Sequence, residues 1–136
     1  MASYPITDID GIDEDAAAVL KKAGVRSTGG LLERARTVSG RKALAAKTGF
    51  TEKQLLYWAN VADRMRIKGV KCDYSQLLQL AGVDTVKELK YRNPCNLVQA
   101  MAEANKKRKL VRNLPSERMV ARWIEDAKKL PLKITY

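Results

Sequence analysis

One stretch of this chain repeats another, and that constrains its fold more than any other feature. "IDGID" at residues 9–13 is answered by "IKGVK" at 67–71. At an offset of 58, Ile9, Gly11, Ile12, Leu20, Ala23, Gly24, Val25 and Leu31 fall on Ile67, Gly69, Val70, Leu78, Ala81, Gly82, Val83 and Leu89. After a seven-residue insertion the offset becomes 65. Thr51, Glu52, Lys53, Trp58, Ala62 and Met65 then meet Ser116, Glu117, Arg118, Trp123, Ala127 and Leu130. Tryptophan occurs only twice in the chain, so its recurrence in register carries weight. The sequence reads as a tandem duplication of about 60 residues per unit, residues 1–67 and 68–136.

Each unit reads as four helices. In the first, Asp13 caps a helix over about Glu14–Ala23, and Gly24 ends it in the left-handed conformation that glycine adopts freely. Further helices are expected over about Thr28–Arg36 and Ser39–Lys47. A fourth follows Thr51, whose spacing to Gln54 is that of a capping box. On it Leu55, Trp58, Ala59, Ala62 and Met65 recur at three- and four-residue intervals, marking a buried face. The second unit repeats the plan over about Cys72–Ala81, Asp84–Tyr91, Pro94–Leu110 and Ser116–Lys129. Asn93-Pro94 supplies a cap and a first-turn proline. No segment alternates as a strand does, and "LPLKITY" at the end is expected to lie extended across the surface. The fold class is all-α.

Composition removes whole classes of chemistry. Histidine is absent, which excludes serine–histidine and cysteine–histidine catalysis and the usual zinc sets. Cys72 and Cys95 have no C-x-x-C spacing and read as reduced thiols. No cofactor, metal or enzymatic activity is expected. No apolar run approaches the roughly 20 residues of a bilayer-spanning helix, and the opening residues lack a signal-peptide pattern. The expected compartment is the cytoplasm, with no membrane contact.

Charge points to a partner. The net charge is +11, unevenly spread. Residues 1–67 carry 11 Lys/Arg against 8 Asp/Glu, and residues 68–136 carry 15 against 7. The densest cluster, "NKKRKLVR", lies in the second unit. A basic surface of this kind suits an acidic partner.

"ITDIDGIDEDAAAVLKKAG" resembles the "LTDLxGIGxxxAxxLxxAG" pattern of helix-hairpin-helix modules, and "KTGFTEKQLLYWA" reads as a second hairpin. The first unit thus resembles the double helix-hairpin-helix, SAM-like domains of recombinases, polymerases and repair nucleases. The whole chain, including "LAGVDTVKELKYRNPCNLVQAM" and "KKRKLVRNLPSERMVARWIEDAKKLP", resembles the bacterial family catalogued as domain of unknown function 4332. The resemblance implies a tandem of such units and a glycine hairpin that presents backbone N–H groups and a helix start to phosphates. Such contacts position a protein on a nucleic-acid backbone without reading bases.

The hairpins differ in fitness for that task. Gly11-Ile12-Asp13 is ringed by Asp10, Glu14 and Asp15, which repel phosphate. Gly49, with Lys47 and Lys53, is competent. Gly69, flanked by Lys68 and Lys71, is the best dressed. At Leu114-Pro115-Ser116 the glycine is lost, but Lys106, Lys107, Arg108, Lys109 and Arg112 lie just upstream. These eleven residues, from Lys47 to Arg112, form the expected nucleic-acid-binding set, with DNA as the first partner to test and a monomer as the acting form. The same cluster also fits a plain solvated helix end, where cations are favoured by about 0.3–1 kcal/mol each. Trp58 and Trp123 read as core, whereas Tyr91 between Lys90 and Arg92 could stack on a base. The rival reading is a protein-interaction adaptor using the same helical surfaces, its acidic and basic ends pairing with other chains.

Overall fold

The computed structural model describes residues 2–136, and among them the regular structure is helical throughout. After a 3-10 turn at Ile6–Asp8 come α1 (Glu14–Lys22), α2 (Thr28–Ala35), α3 (Val38–Thr48) and α4 (Glu52–Arg64). Next come α5 (Cys72–Leu80), α6 (Val86–Leu89), α7 (Pro94–Arg108) and α8 (Glu117–Lys129). None of these helices is long and apolar enough to cross a membrane.

Local signals set most helix ends. Side chains of Asp13, Ser27, Thr37, Thr51, Asn93 and Ser116 each accept a backbone N–H from the first turn of the helix they precede. Each such bond satisfies a donor that the helix cannot, worth about 1 kcal/mol. Gly49 ends α3 at φ +81°. Every helix limit falls within two residues of expectation, and two helices show how the departures arise. The third helix opens at Val38 because Thr37, not Ser39, caps it. The sixth covers only Val86–Leu89 instead of Asp84–Tyr91, and its cap is not local. The Thr85 hydroxyl turns to Glu88 (2.7 Å), and the Val86 N–H instead donates to Asp63 Oδ2 (2.9 Å), 23 residues upstream.

Two apolar clusters form. One gathers Ile6, Leu20, Leu31, Leu55, Trp58 and Met65 with neighbours from the first half. It also takes Cys72 from α5. The other gathers Ile67, Leu78, Leu89, Met101, Val120 and Trp123 with neighbours from the second half. Contacts recur at the 58- and 65-residue offsets. A Cβ on Gly11 (φ +92°) would lie 3.8 Å from Trp58 Nε1, and one on Gly69 (φ +88°) would lie 3.5 Å from Trp123 Nε1. Both tryptophans are buried. Arg34 Nη1 donates to the Ala23 carbonyl (2.9 Å) and Arg92 Nη1 to the Ala81 carbonyl (3.3 Å). Each arginine thereby claims an orphan carbonyl at the end of a helix.

The seam between the clusters is polar. Arg64, 1% exposed, donates through Nε to Ser75 Oγ (3.0 Å) and through Nη1 to the Asp84 carbonyl (2.6 Å). Burial lowers its pKa to about 10, so it stays protonated at neutral pH. Beside it Asp63 pairs with Arg66 at 2.5 Å. Residues 131–136 form neither helix nor strand, and Ile134 packs on the first cluster.

Candidate nucleic-acid interface

All eleven expected contact residues are exposed, but they fall into separate places on the surface. In the first half, Lys47 sits in the last turn of α3, and Gly49 comes just after it. Nothing lies within 4 Å of the point where a Gly49 side chain would start, so an approaching group can come close to that backbone. Lys53, in the first turn of α4, borders a groove shared with Asp10, Gly11, Tyr57 and Gln76. The turn at Gly11 and the start of α4 are therefore neighbours. An acidic side chain shares the surface of that lysine, which weakens any field it offers to phosphate.

The Gly69 turn has a different electrostatic character. Lys71 stands at the N-cap of α5, where the corresponding residue of α1 is Asp13. No side chain caps α5, whereas Asp13 Oδ1 accepts the Ala16 N–H at 2.8 Å. The opening amides of α5 thus keep their donors free of a side-chain cap, next to a cation instead of a carboxylate. Asp73 in the first turn opposes this field in part. Lys71 Nζ lies 5.6 Å from the ring centre of Tyr4, a cation–π distance. Lys68, on the other side of Gly69, borders a shallow pocket with Arg66, Asp126 and Lys129.

The basic cluster begins in the last turn of α7, where Lys106, Lys107 and Arg108 complement the negative helix end. Lys106 also meets Glu103 at 3.3 Å, an exposed pair of little energetic weight. Lys107 and Arg108 border a groove with Leu80, Ala100 and Ala104. Lys109 then takes the left-handed conformation (φ +50°) that Gly49 takes after α3. Asn105 fixes the chain as it leaves the helix. Its amide nitrogen donates to the Val111 carbonyl and its oxygen accepts the Val111 N–H, each at 3.1 Å. The Tyr74 hydroxyl donates to the Asn113 carbonyl (3.0 Å).

Tyr74 lies one turn beyond Lys71 on α5, and its ring packs on Trp123. The Tyr74 hydroxyl bond ties the end of the basic segment, at Asn113, to α5. Lys53 is instead grouped with the acidic turn. Sequence reasoning named the cations but missed Tyr4, Tyr74 and Asn105, which orient them. Tyr74 alone left a trace, three residues after Lys71, the spacing that puts two side chains on one helix face.

The thiols stand apart from this surface. Cys72 Sγ accepts the Asp10 N–H (3.3 Å), and burial pushes its thiol above the ordinary value. Cys95 is exposed in the first turn of α7. Among the described residues, no three His, Cys, Asp or Glu side chains are grouped to hold a metal ion. Tyr91 is 77% exposed with Lys90 Nζ over its ring at 5.1 Å, but Asp84 and Glu88 line the same groove, which disfavours a phosphate there.

No curated protein and no solved structure matches this chain. The family model described as domain of unknown function (DUF4332) matches residues 10–130, nearly the whole chain, and the protein belongs to that family.

Proposed function

We propose that this protein is a non-enzymatic, cytoplasmic nucleic-acid-binding module, a tandem of two double helix-hairpin-helix units that grips the phosphate backbone with little regard to sequence. The observation that carries this reading is the start of α5. There a lysine stands where a carboxylate caps α1, beside an exposed glycine at φ +88°. A helix start with uncommitted N–H groups carries roughly half a positive charge and suits a phosphate oxygen. Lys68 and Lys71 add full charges, and the Tyr74–Asn113 bond supports Arg112 in joining them. DNA is the first ligand to test.

The test is fluorescence anisotropy with a labelled duplex of about 20 base pairs and a single strand of equal length, each at several salt concentrations. If about five cations neutralise phosphates, the log–log salt slope on duplex is about −4 to −5, and the dissociation constant at physiological salt is about 1–100 μM. Reversing Lys68 and Lys71 to Glu flattens the slope by about 2. Asp13→Asn leaves binding unchanged or slightly tighter. Wild-type protein that binds neither ligand at low salt would sink the proposal. The protein-interaction reading would then lead, tested by pull-down from nuclease-treated lysate.

A further inference from the structure

We propose that residues 131–136 are an intramolecular clasp, docked in a receptor trough built by the first half of the chain. The segment leaves α8 at Leu130, whose backbone is already extended (ψ 140°). Every partner it then meets lies far back in sequence. Arg66 Nη1 donates to the Pro131 carbonyl at 2.9 Å, Lys133 forms an ion pair with Glu33 on α2, and Ile134 packs on the first apolar cluster. The Thr135 N–H donates to the Arg36 carbonyl (2.8 Å), and Arg41 Nη2 donates to the Thr135 carbonyl (2.6 Å).

Arg41 makes this more than a resting tail. It is 4% exposed, and its guanidinium is shared between the Ala35 carbonyl (2.9 Å), at the end of α2, and Thr135. With the segment away, Arg41 Nη2 exchanges this carbonyl for water, and the ordered pairing across 94 residues is lost. The trough therefore reads three successive residues by three different means: Lys133 by charge, Ile134 by apolar burial, Thr135 by backbone pairing. Leu132, Ile134 and Tyr136 also form one wall of a groove of about 870 Å³, with α6 and Tyr91 opposite. Opening the clasp dismantles that groove and unties α8 from α2 and α3.

Amide hydrogen exchange of the 136-residue chain, followed by NMR, tests the clasp. The Thr135 amide is expected to exchange at least about tenfold more slowly than an unstructured amide. Ile134→Ala should remove most of that protection while leaving the amides of α4 and α8 unchanged. Glu33→Lys should speed Thr135 exchange by about two- to fivefold, and adding Lys133→Glu should restore it. An unprotected Thr135 amide in the wild type, or a charge swap without rescue, overturns the proposal. A dimer whose dissociation on Ile134→Ala accompanies loss of protection would place the segment in a second copy and overturn its docking within one chain.

Discussion

Gly40, in the first turn of α3, pits helix propensity against packing. Glycine in a helix costs about 1 kcal/mol relative to alanine, so propensity alone predicts that Gly40→Ala stabilises the protein. The structure predicts the opposite. A Cβ at Gly40 would fall closer than 3.0 Å to the carbonyl oxygen of Arg34, in the last turn of α2, and would press on the Thr37 hydroxyl at 3.0 Å. That hydroxyl caps α3 by accepting the Gly40 N–H (3.0 Å). The obstacle is backbone, which cannot rotate aside. Overpacking of this kind costs about 1–3 kcal/mol. Loosening the cap adds about 1 kcal/mol. Set against the propensity gain, the net loss is about 1–3 kcal/mol. For a chain of this size each kcal/mol shifts Tm by about 4 °C, so the midpoint should fall by about 4–12 °C. Thermal unfolding followed by circular dichroism at 222 nm measures it. Gly29→Ala on α2 is the control, because the nearest obstacle there is the Ser3 hydroxyl, a side chain free to move. Its lost bond from the Gly29 N–H (3.2 Å) and its gain in propensity should cancel to within about 0.5 kcal/mol. A Tm for Gly40→Ala at or above the wild-type value would refute the steric reasoning.

Three further outcomes are expected. Trp58→Ala and Trp123→Ala should each cost about 3–5 kcal/mol in denaturant titrations, since both rings are buried and each backs a glycine turn. Lys109→Gly should be neutral or stabilising by up to about 1 kcal/mol, because the left-handed conformation costs lysine about 1–2 kcal/mol and glycine loses part of that gain through its freer unfolded chain. Asp63 bears on pH. Burial outweighs the pull of Arg66 and the Val86 N–H and raises its pKa above 3.8, so between that value and its folded pKa the native state holds the extra proton. Its contribution to stability is present below 3.8 and is lost as pH rises through the folded pKa. Asp63→Asn should therefore make the slope of unfolding free energy against pH more positive above about pH 4, read from urea titrations at a series of pH values.

The sequence disclosed the helices whose ends are decided within three or four residues. Asp13, Thr51, Asn93 and Ser116 each cap from just outside the helix they start, and Gly49 comes directly after the helix it ends. What escaped were decisions made at a distance. The start of α6 is capped by Asp63, 23 residues upstream, and no local pattern announces that. "ADRMR" reads as the charged end of an amphipathic helix, yet Arg64 and Arg66 are buried because α5 and the final segment cover them. The 58-residue repeat of Arg34 in Arg92 was there to be read, but only the carbonyls of Ala23 and Ala81 give those arginines a purpose. Exposure of the basic residues came with their type. Their grouping did not, since it turns on a tyrosine hydroxyl and a carbonyl 39 residues away.

The reach of the final segment has a consequence for biosynthesis. Arg41 and Thr135 are 94 residues apart, and Glu33 and Lys133 are 100 apart. At about 5–20 residues per second, a ribosome delivers Thr135 roughly 5–20 s after Arg41. Helices α1 to α4 leave the exit tunnel long before their last partner exists. Through that interval the nascent first half carries an open apolar notch where Ile134 will sit and a guanidinium with one acceptor in place. This is the interval in which a chaperone would find a binding site on the growing chain, and arrival of the last residues would end it.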